Sequence, residues 1–213
     1  MNTDSDPPTP TIFVIDDDLE IRTLLEHVLN RVGYRVATFA DAREFLKRPC
    51  FDGLGCLVLD IQMPEMNGLD LQKHLAKTGK GLPIIFFTGH GDIRTSVEAM
   101  KQGAVDFLTK PFNREEFLEA VEVALNKHRQ WRQAAAETEE VCKRISTLTP
   151  REREVMSGVT TGKLNKQIAD ELGISEITVK VHRSRVMKKM GVTSVADLVR
   201  SAERRGDKTG ELS

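Results

Sequence analysis

Between residues 12 and 128, five short apolar runs alternate with five stretches of helical periodicity, and few folds accommodate that rhythm. The runs are IFVI (12–15), YRVATF (34–39), CLVL (56–59), PIIFF (83–87) and VDFLT (105–109). They lead into predicted helices near 19–32, 41–48, 69–78, 92–102 and 114–128. The strongest runs lack polar alternation, as strands do when both faces of a parallel sheet are covered. Parallel neighbours need crossover connections, which the helices supply. The expected architecture is an α/β, flavodoxin-like, five-stranded parallel sheet of order 2-1-3-4-5. Asp18 is placed to cap the first helix and Gly33 to end it, while Gly68 and Gly103 lie at chain reversals.

Beyond this region the pattern changes. Residues 127–147 contain neither Gly nor Pro and predict a helix, with Trp131, Ala134, Thr138, Val141, Ile145 and Leu148 along one stripe. The stripe is too short for a convincing coiled coil and predicts a linker that packs on its own domains. Four short helices follow, at 150–160, 164–172, 176–190 and 194–202, punctuated by Gly162, Gly173 and Gly191. The expected organisation is a disordered leader at 1–10, an α/β domain at 11–128, a helical linker at 129–146, a small all-α domain at 147–204 and a tail at 205–213.

Charge divides the same way. Residues 1–126 hold 13 Lys+Arg against 20 Asp+Glu, a net −7, and residues 127–213 hold 18 against 12, a net +6. The basic half predicts a polyanionic partner. Cys50, Cys56 and Cys142 match no disulfide or metal spacing and read as packing residues in a reducing compartment. No apolar run has the length of a membrane span, so a cytoplasmic protein without membrane contact is expected.

The strand ends carry the chemistry. Asp16 and Asp17, Asp60, Thr88 and Lys110 each follow an apolar run, at the edge of the sheet where α/β folds bind ligands. Taken alone, the Asp16–Asp18 triplet can simply cap a helix and complement its dipole. Three carboxylates at adjacent strand ends repel one another unless a cation joins them, and a hard divalent ion such as Mg²⁺ suits oxygen ligands. A carboxylate can also attack phosphorus to give an aspartyl phosphate. Lys110 and Thr88 are then suited to phosphoryl oxygens.

Residues 11 to about 128 resemble the receiver domain of bacterial two-component response regulators, through IDDD (15–18), VLDIQMPEMNG (58–68), FTGHGD (87–92) and FLTKPF (107–112). The resemblance implies Asp60 as phosphoacceptor, with Asp16, Asp17, Asp60 and the backbone carbonyl of Gln62 binding Mg²⁺. It implies Thr88 and Phe107 as a switch pair and Lys110 as the phosphate-binding lysine before a cis Pro111. Gln62 and His90 would flank the phosphoryl group and set its hydrolysis. In relatives the face of the fourth helix, fifth strand and fifth helix pairs two copies, which makes Ser96, Val97, Met100 and Lys101 candidate dimer contacts.

In the basic half, residues 165–192 read as a helix, a Gly-containing turn and a second helix capped by Ser175. At 100° per residue, Val179, His182, Val186 and Met190 form a core stripe, and Ile177, Lys180, Val181, Ser184 and Lys188 form a mostly polar opposite face. His182 reads as a satisfied core histidine, since no Cys or second His has metal spacing. The stretches LTPREREVM (148–156), NKQIADELGIS (165–175) and TVKVHRSRVMKKM (178–190) are similar to the LuxR-type helix-turn-helix domain of the FixJ/NarL family, closest to its FixJ-like branch. That similarity implies Lys180, Val181 and Ser184 toward base edges, and Lys166, Thr178, Arg183, Lys188 and Lys189 toward phosphates. Relatives often carry a basic residue where this chain has Ser184, and Arg185 beside it can compensate. Glu152 and Arg153 read as structural, bracing a helix start.

The function expected is a phosphorylation-dependent transcriptional regulator. A sensor histidine kinase would phosphorylate Asp60, the receivers would form a homodimer, and the basic domains would bind double-stranded promoter DNA, with RNA polymerase as a further partner. Two other readings stay open. One is a phosphotransferase acting on an external substrate, although no loop is long enough to form a cap. The other is a phosphorylation-independent DNA binder whose receiver only dimerises.

Overall fold

The computed structural model describes residues 9–78, 81–89 and 93–206, and the chain divides into two compact units, Met1–Trp131 and Arg132–Ser213. Most of the leader and tail, and His90, lie outside the described residues.

In the first unit, strands β1 (Thr11–Ile15), β2 (Arg35–Phe39), β3 (Gly55–Leu59), β4 (Ile84–Thr88) and β5 (Asp106–Thr109) form one parallel sheet of order β2-β1-β3-β4-β5. Helices α1 (Leu19–Arg31), α2 (Ala42–Lys47), α3 (Gly68–Thr78), α4 (Ile93–Lys101) and α5 (Arg114–Ser146) follow the strands in turn. Alternate residues of each strand feed two separate cores. Ile12, Val14, Val58, Ile85 and Phe87 pack with Leu25 and Leu29 of α1 and Phe117, Val121 and Leu125 of α5. Phe13, Ile15, Leu57, Leu59, Ile84 and Phe86 pack with Phe45 of α2, Leu71 and Leu75 of α3 and Ala99 of α4. Burial on both faces is why the strand runs read as unbroken apolar stretches.

The local signals act as expected. Asp18 accepts a hydrogen bond from the Glu20 amide at the start of α1, and Gly33 takes a left-handed φ of 90° just past its end. The helix beginning at Arg114 does not stop near 128 but runs unbroken to Ser146, because nothing in the sequence between interrupts it. Of the three cysteines only Cys56 is a packing residue; Cys50 and Cys142 are exposed, so their expected burial is corrected. Cys50 lies in the segment after α2, and Cys142 lies on a side of α5 that faces solvent. No helix among the described residues is long and apolar enough to cross a membrane.

The second unit is built from the end of α5 and helices α6 (Pro150–Thr160), α7 (Asn165–Leu172), α8 (Glu176–Met190) and α9 (Val195–Gly206). Its core joins Ile145 and Leu148 to Val155, Val159, Ile168, Val179, Val186, Met190 and Leu198, with Val141 packed against it. The C-terminal half of the linker stripe is therefore spent within the chain. Thr149 and Glu152 form a reciprocal capping box on α6, and Ser175 caps α8 through the Thr178 amide. Gly173 and Gly191 end α7 and α8 in the left-handed region, which favours glycine.

Candidate functional site

The sheet brings the acids and the lysine together. Asp16 follows β1, Asp60 follows β3, Thr88 ends β4 and Lys110 follows β5. Asp16 and Asp60 are buried and Asp17 is exposed, and one ligand oxygen from each of the three lies within 4.8 Å of the others. Lys110 Nζ donates to Asp16 Oδ2 at 2.6 Å and to Asp60 Oδ2 at 3.3 Å, and sits 5.2 Å from the centre of the Phe87 ring. Backbone amides hold the carboxylates from the other side: Asp18 donates to Asp16 Oδ1 at 3.0 Å and Gln62 to Asp60 Oδ1 at 3.3 Å. Arg22 Nη1 donates to the Asp16 carbonyl at 2.6 Å.

Two contacts set the shape of this cluster. The Lys110 amide donates to the Thr88 carbonyl at 2.8 Å, joining the ends of β4 and β5, and the Lys110–Pro111 peptide is cis. A Cβ on Gly68 would lie 2.3 Å from the Asp60 carbonyl oxygen, so only glycine lets α3 begin this close to the acid. Thr88 is fully buried, and Phe107 is half-buried against the core that includes Phe86.

Burial raises the Asp60 carboxyl above its usual range, and the neighbouring Asp16 charge adds to that, against the opposing pull of Lys110 and the Gln62 amide. For Lys110, burial lowers the ammonium, but its hydrogen bond to Asp16 and the charges of Asp60 and Asp16 outweigh it and hold the group above the usual lysine range. The three acids and one ammonium leave a cluster of excess negative charge with hard oxygen donors. That donor set fits Mg²⁺.

On α4, Val97 and Met100 are each 46% exposed, Lys101 is exposed and Ser96 is half-buried. Val97, Met100 and Lys101 thus lie on the outward side of the helix, with Ser96 at its margin.

In the second unit, α8 sorts its residues as its periodicity requires. Val179, Val186 and Met190 are buried, while Ile177 is 74% and Val181 44% exposed alongside exposed Lys180, Ser184, Arg185 and Lys188. Lys166 is exposed on α7. One expectation needs correction, and two of the basic residues have partners within the unit. Lys189 is exposed, and its Nζ donates to Glu152 Oε2 at 2.6 Å and to the Thr147 carbonyl at 3.0 Å, beside a buried carboxylate that requires a counter-charge. Arg183 is half-buried and donates to Asn165 Oδ1 at 3.1 Å, bracing α8 against α7. His182 is half-buried with its Nδ1 buried and unpartnered, so it is not the satisfied core histidine expected. Thr178 shares its hydroxyl with Ser175 at 2.9 Å and remains half-buried.

Arg144 is a structural residue. Its Nη1 donates to the Met190 carbonyl at 2.8 Å and closes the end of α8, and a Cβ on Gly191 would meet that nitrogen at 2.6 Å. No local signal marks a contact that joins residues 46 positions apart.

Comparison with known proteins agrees with both units. Residues 12–122 match the response regulator receiver domain, and residues 146–202 match the luxR family of bacterial regulatory proteins. The chain is 48% identical to nodulation protein W of Bradyrhizobium diazoefficiens over 92% of its own length and 86% of that protein. It is 47% identical to the response regulator protein TmoT of Ectopseudomonas mendocina, over 92% and 89% of the two chains. It is 41% identical to the transcriptional regulatory protein FixJ of B. diazoefficiens, over 92% and 95%. Among solved structures, the response regulator StyR superposes with a TM-score of 0.78 at 45% identity, over 92% of this chain and 99% of that one. Full-length FixJ from B. japonicum superposes with a TM-score of 0.55 at 41% identity, over 92% and 97%. The protein belongs to the two-component response regulators that join a receiver domain to a LuxR-type DNA-binding domain.

Proposed function

We propose that this response regulator is a phosphorylation-gated transcription factor whose phosphoacceptor is Asp60. The observation that carries the reading is the buried Asp60 carboxylate, held 3.3 Å from the Lys110 ammonium inside a cluster of acids. An Asp60 oxygen attacks the phosphorus of a phosphohistidine on a sensor kinase. The new P–O bond forms as the P–N bond breaks, and the imidazole leaves and takes up a proton. Asp16, Asp17, Asp60 and the Gln62 carbonyl would hold Mg²⁺, which supplies charge neutralisation for the phosphoryl oxygens. Lys110 shifts its bonds from the carboxylates to a phosphoryl oxygen, and the Thr88 hydroxyl turns toward another. Phe107 then repacks into the space beside Thr88.

This repacking alters the α4–β5–α5 face, where Ser96, Val97, Met100 and Lys101 form the homodimer contact. In this reading the receiver spans 11–128, the linker 129–146 and the DNA-binding domain 147–204. Pairing two receivers presents two α8 helices to promoter DNA at high effective concentration. Lys180, Val181 and Ser184 read base edges in the major groove, Lys166, Thr178 and Lys188 contact phosphates, and Arg185 supplements Ser184. RNA polymerase and a cytoplasmic setting complete the picture.

Asp60→Asn tests it. A phosphorylated sensor kinase, or a small phosphodonor, should label the native chain and not the variant. The variant should also lose the rise in promoter affinity that phosphorylation produces. A variant that activates its promoter fully would instead mean that the receiver works without phosphate.

A further inference from the structure

We infer that Gln72 on α3 is a positioning residue that clamps the C-terminal end of α4 and thereby sets the energy of the switch. The inference rests on the phosphate-gated reading above. Gln72 is 4% exposed, and its Nε2 donates to two carbonyls at the end of α4, those of Ala99 and Gln102, each at 3.2 Å. The last carbonyls of any helix lack partners within it. Here the Ala104 amide already donates to the Ala99 carbonyl at 3.1 Å, and Gln72 of a neighbouring helix adds a second donor there and one to Gln102.

Few of the described side chains tie α4 to the rest of the unit. Of its side chains described, 96–101, only Ala99 is buried, so the apolar hold on the core there is a single methyl group. At the solvent edge of the same seam, Lys73 Nζ reaches Glu98 Oε1 at 3.2 Å, and both side chains are half exposed. Such an exposed pair holds little. Of these two links between α3 and α4, the buried amide is therefore the stronger.

The same amide is also incompletely satisfied. Gln72 Oε1 and Gln102 Oε1 are both buried without a hydrogen-bond partner. A polar network with unmet acceptors in a low-dielectric seam is costly, and a rearrangement that exposes those oxygens to water recovers part of the cost. The seam thus contains both parts of a two-position device: two bonds that favour the present placement of α4, and two orphan acceptors that favour leaving it. In that placement Lys110 is bonded to the Asp60 carboxylate. The outward residues of the proposed dimer face, Val97, Met100 and Lys101, ride on the same helix.

Linkage provides the test. If the clamp opposes repacking, releasing it favours the repacked arrangement before any phosphoryl group arrives, and the two readouts must rise together. Gln72→Met keeps the length of the side chain and removes the donor. In the full-length chain with Mg²⁺, its affinity for beryllofluoride, a phosphoryl analogue, should increase roughly ten-fold, and its self-association constant without beryllofluoride, which needs both protomers repacked, by about the square of that factor. Lys73→Ala should change either quantity by less than about two-fold, as expected of an exposed ion pair. Should Gln72→Met fail to fold, Gln72→Asn retracts the amide by one methylene and should act in the same direction.

A role limited to stability would lower both quantities along with the unfolding midpoint, and that result overturns the inference. So does no change in either. If the native chain itself does not associate more strongly with beryllofluoride, the phosphate-gated reading fails first, which separates the two failures.

Discussion

Helix α8 is fastened to its unit by Val179, Val186 and Met190, none more than 1% exposed, whereas the described side chains of α4 reach their core only through Ala99. Both helices carry outward residues with a proposed binding role. Fully burying a Val or Met side chain is worth about 1.5–3 kcal/mol, so three of them hold α8 more firmly than one methyl holds the described part of α4, residues 96–101. The difference matches the roles proposed for the two faces. A helix that reads base edges needs a fixed register against its own domain. A helix that reports a distant phosphoryl group needs a second position within reach.

The largest test of this contrast is Met190→Ala. It should cost the second unit about 3 kcal/mol through lost burial and the cavity left behind. Chemical denaturation followed by a probe in that unit will show it. A loss below 1 kcal/mol would mean that α8 is not anchored as its burial indicates.

A smaller effect is expected at the brace beneath α8. Glu152 accepts hydrogen bonds from Lys189 Nζ at 2.6 Å and from the Thr149 amide at 2.9 Å, and these two bonds hold its carboxyl below the usual glutamate range. Because the folded value lies below the unfolded one, the stabilisation is present above about pH 4.3 and disappears as pH falls through the folded value. Glu152→Gln should destabilise by about 2 kcal/mol at neutral pH, the range for charge-assisted bonds. The gap between native and variant chains should close as the pH drops below about 4. A gap that persists there would point to packing rather than charge.

The smallest effects are expected on the outward faces. Ile177→Ser and Val97→Ser should each change unfolding free energy by no more than about 0.5 kcal/mol, since neither side chain is buried. Their effects belong in binding measurements: promoter affinity for the first, self-association for the second. A clear stability loss in either would show that the exposed strip is part of a core after all.

Much of the first unit was legible because its signals are local or periodic. The apolar runs at 12–15, 56–59 and 83–87 lie within strands β1, β3 and β4 or begin one residue early, and the Asp18 and Ser175 caps act on amides two or three residues away. The cluster of Asp16, Asp17, Asp60 and Lys110 was legible for a different reason. Parallel strands place all their carboxyl ends on one edge, so residues just after the runs had to meet. Lys189 shows where that reasoning stops. On a helical wheel it is one more basic residue of α8, and only the fold brings the buried Glu152 of α6 to its ammonium.

What the sequence determined by itself was therefore periodic or near in the chain: the five strands, the two-domain division, the faces of α8 and the acidic strand ends. Hydrophobic spacing and cap geometry act over a few residues, and they need no knowledge of the rest of the fold. Tertiary structure alone decided how individual polar groups were matched: Lys189 with Glu152, Arg144 with the Met190 carbonyl, Gln72 with the end of α4, and His182 with no partner at Nδ1. A buried donor or acceptor takes whichever partner packing brings within about 3 Å, and that choice is made between elements distant in the chain.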